Sequence, residues 1–352
     1  MANKVSIELD GGSLEVQAGI TIQKVMELNG YKITKYPEPG SLFTPCETGG
    51  CWSCTVEVNG EPKPACSTTV SHGVTIKTSL PEDYLPRRII TGFSGHPVGG
   101  VGTPWGMKSK PGYIETACFA AGCNFRCPQC QNWDIAYMGK GKAFTPLEAA
   151  RLMTEARQKF SVDRMAISGG ESTLNRKWLL GYVRKLKELN PDPSARIHVD
   201  TNGSILTRDY IDELVAAGMT DVGPDLKGLY LESFVRLTGV KDQDLAERYH
   251  TTAWKAVRHL VEKYKDRVFT GVGIPYNRKL ISVQELGMMG EKLCEIDPEI
   301  QVCVLDYRPE FKRLDLVRPS YEEMVEVHRV LSGKGLKTVI CQTKRGHLGP
   351  EL

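Results

Sequence analysis

Apolar and polar residues alternate along residues 4–9 (KVSIEL) and 13–17 (SLEVQ), on either side of Asp10-Gly11-Gly12. A period of two broken by an Asp-Gly turn predicts a hairpin. Residues 21–29 (TIQKVMELN) change to a helical period, which predicts a short helix with Ile22, Val25, Met26 and Leu28 turned inward. Residues 55–58 read as a strand running into the turn Asn59-Gly60. Residues 92–112 then lose all periodicity and are dense in glycine and proline, which predicts an ordered linker. Beyond it, strand and helix patterns alternate. Residues 112–117 read as a strand. Thr145-Pro146-Leu147-Glu148 is a capping box with proline at the first helical position, opening a helix to about Phe160. Strands over 164–168, 196–201, 220–223, 268–274, 301–305 and 337–340 are interleaved with helices over 177–189, 208–217, 250–265, 282–294 and 321–333. Repeated βα units of this length imply a parallel sheet with crossover helices, closed or partly closed into a barrel.

A chain of 352 residues is long enough for two domains, one of them small. The pattern divides it into 1–82, a linker at 83–112, and 113–352. Apolar content of 41% and charged content of 25% fit a globular chain with a sizeable core. A net charge of +3 argues against nucleic acid or an acidic membrane surface as partner. No apolar run is long enough to span a bilayer, and MANKVSIELDGG has no signal-peptide core, so a cytoplasmic location is expected. In that reducing setting, eleven cysteines point to metal ligation and not to disulfides.

Seven cysteines fall into two clusters. Cys46, Cys51 and Cys54 lie in a C-x4-C-x2-C run, with Cys66 following after a strand. This is the plant-type 2Fe–2S spacing, and Gly49 and Gly50 let the loop wrap closely around a cluster. Cys123, Cys127 and Cys130 form a C-x3-C-x2-C run within one loop. Three thiolates on a cubane cluster leave one iron open for a substrate. A structural zinc site is the alternative at either run. Cys118, Cys294, Cys303 and Cys341 read as small buried apolar residues.

Further polar motifs fall where strands end. Ser168-Gly169-Gly170-Glu171 combines two glycines that admit a ligand to the backbone with a carboxylate that can accept from an ammonium. Asp200-Thr201-Asn202-Gly203 ends the next strand and could hold ribose hydroxyls. Asp225-Leu226-Lys227 ends the one after, and Leu305-Asp306-Tyr307-Arg308-Pro309 a later one. Barrel sites gather at these strand ends.

Together, the C-x3-C-x2-C loop with Gln131-Asn132-Trp133 after it, the GGE, the DTNG and the DLK resemble the radical S-adenosylmethionine (SAM) superfamily, in its pyruvate formate-lyase activating enzyme-like branch. The first 82 residues look like a β-grasp ferredoxin domain whose motif resembles the iron–sulfur subunit of succinate dehydrogenase more than it does chloroplast ferredoxin. The resemblance implies an α/β fold, a partial (β/α)6 barrel over about 113–345 preceded by the small β-grasp domain. It implies a 4Fe–4S cluster on Cys123, Cys127 and Cys130, and a 2Fe–2S cluster on Cys46, Cys51, Cys54 and Cys66. It implies SAM held by Ser168, Gly169, Gly170, Glu171, Asp200, Thr201, Asn202, Asp225, Lys227 and Arg308, with a monovalent cation near Asp200. The chain departs from the activating enzymes: TPWGMKSKPGYIETACFAAG carries no D-G-x-G-x-R signature, and the usual extra ferredoxin insert with two 4Fe–4S clusters is missing, a 2Fe–2S domain preceding the barrel instead.

The expected activity is reductive cleavage of SAM to a 5′-deoxyadenosyl radical, followed by hydrogen abstraction from a protein or peptide substrate. The 2Fe–2S domain would relay electrons from a donor protein of ferredoxin or flavodoxin type. Two alternatives stay open: a small-molecule or cofactor-maturation enzyme of the same chemistry, and an iron–sulfur electron-transfer protein that never cleaves SAM.

Overall fold

The computed structural model describes residues 4–108 and 112–351. Residues 1–3 of the expected first domain and 109–111 of the expected linker lie outside the described residues.

The first hairpin, β1 (Lys4–Leu9) and β2 (Gly12–Gln17), turns at Asp10-Gly11, where both residues take positive φ. Helix α1 (Ile22–Leu28) is capped by the Thr21 hydroxyl and buries Ile22, Val25 and Met26. Leu28, expected inward, is exposed, because it falls on the far side of this two-turn helix. A short pair, β3 (Ile33–Thr34) and β4 (Leu42–Phe43), precedes the first cysteine loop. Strands β5 (Thr55–Val58), β6 (Glu61–Pro64) and β7 (Thr75–Lys77) complete a five-stranded sheet of order β2-β1-β7-β5-β6. Its core joins Ile7, Ile22, Val56 and Ile76 to Cys54 and Cys66.

The stretch expected as linker does more than connect. Residues 88–96 form a nine-residue strand, β8 (Arg88–His96), antiparallel to β9 (Glu115–Ala120) with a bulge between Gly92 and Ser94. After β8 the chain passes through one turn of helix, α2 (Trp105–Lys108). The second cysteine loop and the short helix α3 (Trp133–Ala136) follow β9, then β10 (Ala143–Phe144) pairs back onto β8.

From there the βα alternation is regular: α4 (Pro146–Phe160), β11 (Arg164–Gly169), α5 (Arg176–Leu189), β12 (Arg196–Thr201), α6 (Arg208–Ala217) and β13 (Asp221–Pro224). Two helices, α7 (Leu231–Thr238) and α8 (Gln243–Tyr264), lead to β14 (Phe269–Tyr276). The chain ends with α9 (Val283–Ile296), β15 (Gln301–Asp306), α10 (Tyr321–Ser332), β16 (Thr338–Thr343) and β17 (Gly346–Leu348). The capping box at Thr145 and Glu148 is formed, and Gly218 closes α6 in the left-handed conformation that glycine adopts without penalty. β9 and β11 to β16 run parallel, and the sheet has the order β10-β8-β9-β11-β12-β13-β14-β15-β16-β17. The helices cover its outer face over two apolar cores, one around Trp178 and Leu214, the other around Val257 and Leu286. This is an α/β partial barrel behind a small β-rich domain.

The glycine-rich segment 99–102 fills the lower part of the barrel. A Cβ on Gly100 would stand 2.3 Å from Asp200 Oδ2, and one on Gly102 would stand 2.4 Å from the Val222 carbonyl oxygen. Only residues without side chains fit so close to β12 and β13. Buried Arg164 pins the segment from below: it donates to the Gly102 carbonyl at 2.7 Å and pairs with Glu115 at 2.9 Å and Asp221 at 2.7 Å. Paired and bonded at each side, this buried cation is the kind the low-dielectric interior tolerates.

Candidate active site

Every strand-end motif faces one cavity of about 410 Å³. Its lining includes Cys123, Cys127, Cys130, Ser168, Gly169, Gly170, Asp200, Thr201, Asn202, Asp225, Lys227 and Arg308. The structure therefore brings together all but one of the cavity residues expected from the motifs. Glu171 lies just behind the wall. Its carboxylate is buried and accepts from the Thr201 hydroxyl, the Thr173 hydroxyl and the Thr173 and Asn202 backbone N–H groups. It fastens the end of β11 to the end of β12. Gly170 comes within hydrogen-bond reach of β9, its N–H donating to the Ala120 carbonyl at 2.9 Å.

The three thiols of the loop after β9 are all pushed up by burial, Cys127 to about 12, while Lys227 pulls Cys127 and Cys130 the other way. Three thiols facing one cavity in apolar surroundings suit a cationic metal cluster, which would take them as thiolates. Lys227 is held in its charged form. Burial opposes the charge, but Asp225 at 3.1 Å, with Tyr307 and Cys127, outweighs it and raises the ammonium well above its ordinary value. Asn202 reaches from the end of β12 to the cysteine loop, donating to Asn124 at 3.0 Å and approaching Cys123 Sγ at 3.9 Å. Asp200 sits 3.0 Å from the ring of buried His198.

In the first domain the four cysteines also converge. Cys46 and Cys51 sulfurs are 3.1 Å apart, and the Cys66 thiol reaches both Cys46 and Cys54. Mutual contact drives Cys46 well below the ordinary thiol range and Cys66 far above it. Four buried thiols crowded on one point are a donor set for a metal cluster and a poor arrangement without one.

Some residues of this region leave no local sequence signal. His96, Lys108 and Glu115 reach the cavity from the segment around β8 and β9, and Gln342 and His347 reach it from the last hairpin. Lys108 donates to the carbonyls of Val98, Gly99 and Gly100, so the linker backbone forms part of the wall. Their positions follow from tertiary pairing alone.

Comparison with known proteins matches residues 118–281 to the radical SAM superfamily and residues 2–81 to a 2Fe–2S iron–sulfur cluster binding domain. Curated relatives include a GTP 3′,8-cyclase of Gloeobacter violaceus, 33% identical over 119 residues, covering 33% of this chain and 35% of that one. Another, from Cronobacter sakazakii, is 32% identical over 121 residues, 33% of this chain and 35% of that one. The chain thus spans about a third of the length of these relatives. Among solved structures, Streptococcus suis SuiB bound to its precursor peptide aligns with a TM-score of 0.46 at 15% identity, covering 60% of this chain and 43% of that one. Coproporphyrinogen III oxidase of Escherichia coli aligns with a TM-score of 0.40 at 17% identity, covering 61% and 51%. The chain carries a radical SAM domain behind a 2Fe–2S ferredoxin domain, and its cofactors are a 4Fe–4S cluster, SAM and a 2Fe–2S cluster. Among the described residues, no helix is long and apolar enough to cross a membrane.

Proposed function

We propose that this protein is a radical SAM enzyme that abstracts hydrogen from a small polar molecule, with electrons supplied through its own 2Fe–2S domain. Cys123, Cys127 and Cys130 would hold the 4Fe–4S cluster, which would supply the one-electron reducing power for cleavage of the SAM sulfonium. The protein's own residues bind, orient and enclose. Ser168, Gly169 and Gly170 offer backbone along one side of the cavity. Asp225 and Lys227 present a fixed ion pair, and Asp200, Thr201 and Asn202 present polar groups beside them at the end of the neighbouring strand. Arg308 enters from the end of β15. A monovalent cation beside Asp200 belongs to the same reading.

The observation that carries a small substrate is the filled lower barrel. The linker from Val98 to Val101, with Lys108, walls the cavity in which a substrate would meet the radical, leaving about 410 Å³ for the cluster, SAM and substrate together. A cavity of this size suits a small ligand. The curated relatives are named for action on GTP, a small molecule, and this favours the same class over the protein or peptide substrate expected from the activating-enzyme resemblance. The walls mix Lys108, Lys227 and Arg308 with Glu115, Asp200 and Asp225, which suits a polar substrate. An electron carrier has no use for such a cavity.

The test is anaerobic turnover of the protein carrying both clusters with SAM and dithionite. GTP and a dialysable cell extract are added in separate reactions, and the undialysable fraction in a third. Faster release of 5′-deoxyadenosine with a small-molecule addition supports the reading. Stimulation by the undialysable fraction alone returns the substrate to a protein or peptide.

A further inference from the structure

Gly122 stands where three loops meet. Its N–H donates to the Ile135 carbonyl at 3.2 Å, and its own carbonyl accepts from Glu171 N–H at 2.9 Å. Its φ is +82°, and a Cβ there would lie 3.1 Å and 3.2 Å from Cβ and Sγ of Cys46 and 2.9 Å from the Cys51 nitrogen. The next residue in the chain is Cys123. The 2Fe–2S loop therefore packs directly on the backbone that leads into the 4Fe–4S loop, with no side chain between them. Gly50 completes the fit from the other side, since a Cβ on it would stand 2.9 Å from the Gly122 nitrogen. Cys46, Cys51 and Cys123 share one buried cluster with Phe125.

One side chain ties the two loops together. Arg126, between Cys123 and Cys127, donates to the Cys123 carbonyl at 2.7 Å and the Phe125 carbonyl at 2.8 Å. Its other amine donates to the carbonyl of Cys46. The guanidinium also lies 5.3 Å from the centre of the Tyr137 ring. A planar fork that is always charged can bond several carbonyls at once in a fixed geometry, which a lysine cannot do.

We infer that Arg126 is the positioning residue of a direct electron path, from the 2Fe–2S centre through Cys46 and the Gly122–Cys123 backbone to the 4Fe–4S centre. This rests on the electron relay proposed above. One electron enters the 2Fe–2S centre from a low-potential carrier protein or from dithionite. The same electron then leaves it, re-oxidising that centre and reducing the 4Fe–4S centre by one. No proton or leaving group is involved. Arg126 acts by holding the gap short and by placing a positive charge beside both ligand loops, which favours the more negative, reduced state of each.

The experiment uses the full chain with both clusters and no substrate. The protein is mixed with less than one equivalent of dithionite, and the two reduced centres are followed by freeze-quench electron paramagnetic resonance. Microwave power saturation of the fully reduced protein reports the magnetic interaction between them. Arg126→Leu is expected to slow the appearance of the reduced 4Fe–4S signal by about tenfold or more and to weaken the magnetic interaction. Arg126→Lys, which keeps the charge without the fork, is expected to fall between and serves where the leucine variant loses iron. Wild-type transfer and coupling in both variants would overturn the role of Arg126 and leave the relay standing. If wild-type protein moves no electron between centres that dithionite reduces separately, the relay itself fails, and this inference with it.

Discussion

The Glu171 carboxylate accepts from the Thr201 hydroxyl at 2.6 Å, joining the ends of two neighbouring barrel strands beneath the candidate SAM site. With Thr173 and Asn202 completing its coordination, this buried carboxylate has donors on both oxygens. Its work is to hold the GGE and DTNG turns in register. Glu171→Gln replaces one acceptor with an NH2 group facing donors, and is expected to cost about 1–3 kcal/mol. A fall of that size in the unfolding free energy, read from a lower denaturant midpoint, together with weaker SAM binding, is the expected result. An unchanged midpoint would contradict the role.

The linker can be tested by adding single methyl groups. Gly102 has the backbone of β13 at 2.4–2.8 Å from where its Cβ would be, and backbone cannot swing aside. Gly102→Ala should therefore destabilise the fold by about 1–3 kcal/mol. Gly106 lies in α2 with nothing within 4 Å, so Gly106→Ala should be neutral or stabilising by about 0.5–1 kcal/mol. Urea melts of the two variants side by side separate a packed linker from a loose one.

Electron supply gives a second contrast. The double change Cys51→Ser and Cys54→Ser removes two of the thiols that would hold the cluster of the first domain and leaves the second cysteine loop untouched. Turnover driven by a reduced ferredoxin or flavodoxin should collapse, whereas dithionite, which can reach the second cluster directly, should still support SAM cleavage. Donor-driven turnover that survives the loss of the 2Fe–2S signal would sink the relay.

Acid should weaken the fold. Burial, with Lys108 nearby, pushes His347 down to about 4 from an ordinary 6.5, and burial also lowers His250 and His328. A histidine whose folded value lies below its unfolded value binds more protons when unfolded between the two. Stability is therefore full above the ordinary value and lost as pH falls from 6.5 towards 4. Denaturation midpoints across that range should decline, and the decline should be shallower in His347→Gln. Identical slopes in the two proteins would show that His347 is not held neutral.

Much of this was legible in the chain, for identifiable reasons. Thr145-Pro146-Leu147-Glu148 announces a helix because capping is local chemistry, and the cap is formed. Cys123, Cys127 and Cys130 share one loop, so their spacing alone predicts that they converge. Arg88–His96 gave no strand signal, because its glycines break the alternation and its pairing to β9 exists only in the folded sheet. The helix α7 fell between two motifs and went unread, and α8 begins seven residues before the expected start, at the Asp242 cap. Arg126 carries no signal of its own in the sequence. Its role depends on Cys46, which lies 80 residues earlier, coming to rest beside it.

The central claim is that this chain cleaves SAM reductively at Cys123, Cys127 and Cys130, and one measurement meets it directly. Protein reconstituted with both clusters is incubated anaerobically with SAM and dithionite, and 5′-deoxyadenosine is quantified by chromatography and mass spectrometry. The wild-type chain should release it, and Cys127→Ser should release none while keeping its 2Fe–2S signal. Absence of the product from wild-type protein that holds both clusters and binds SAM, with and without the small-molecule extract, would contradict the account.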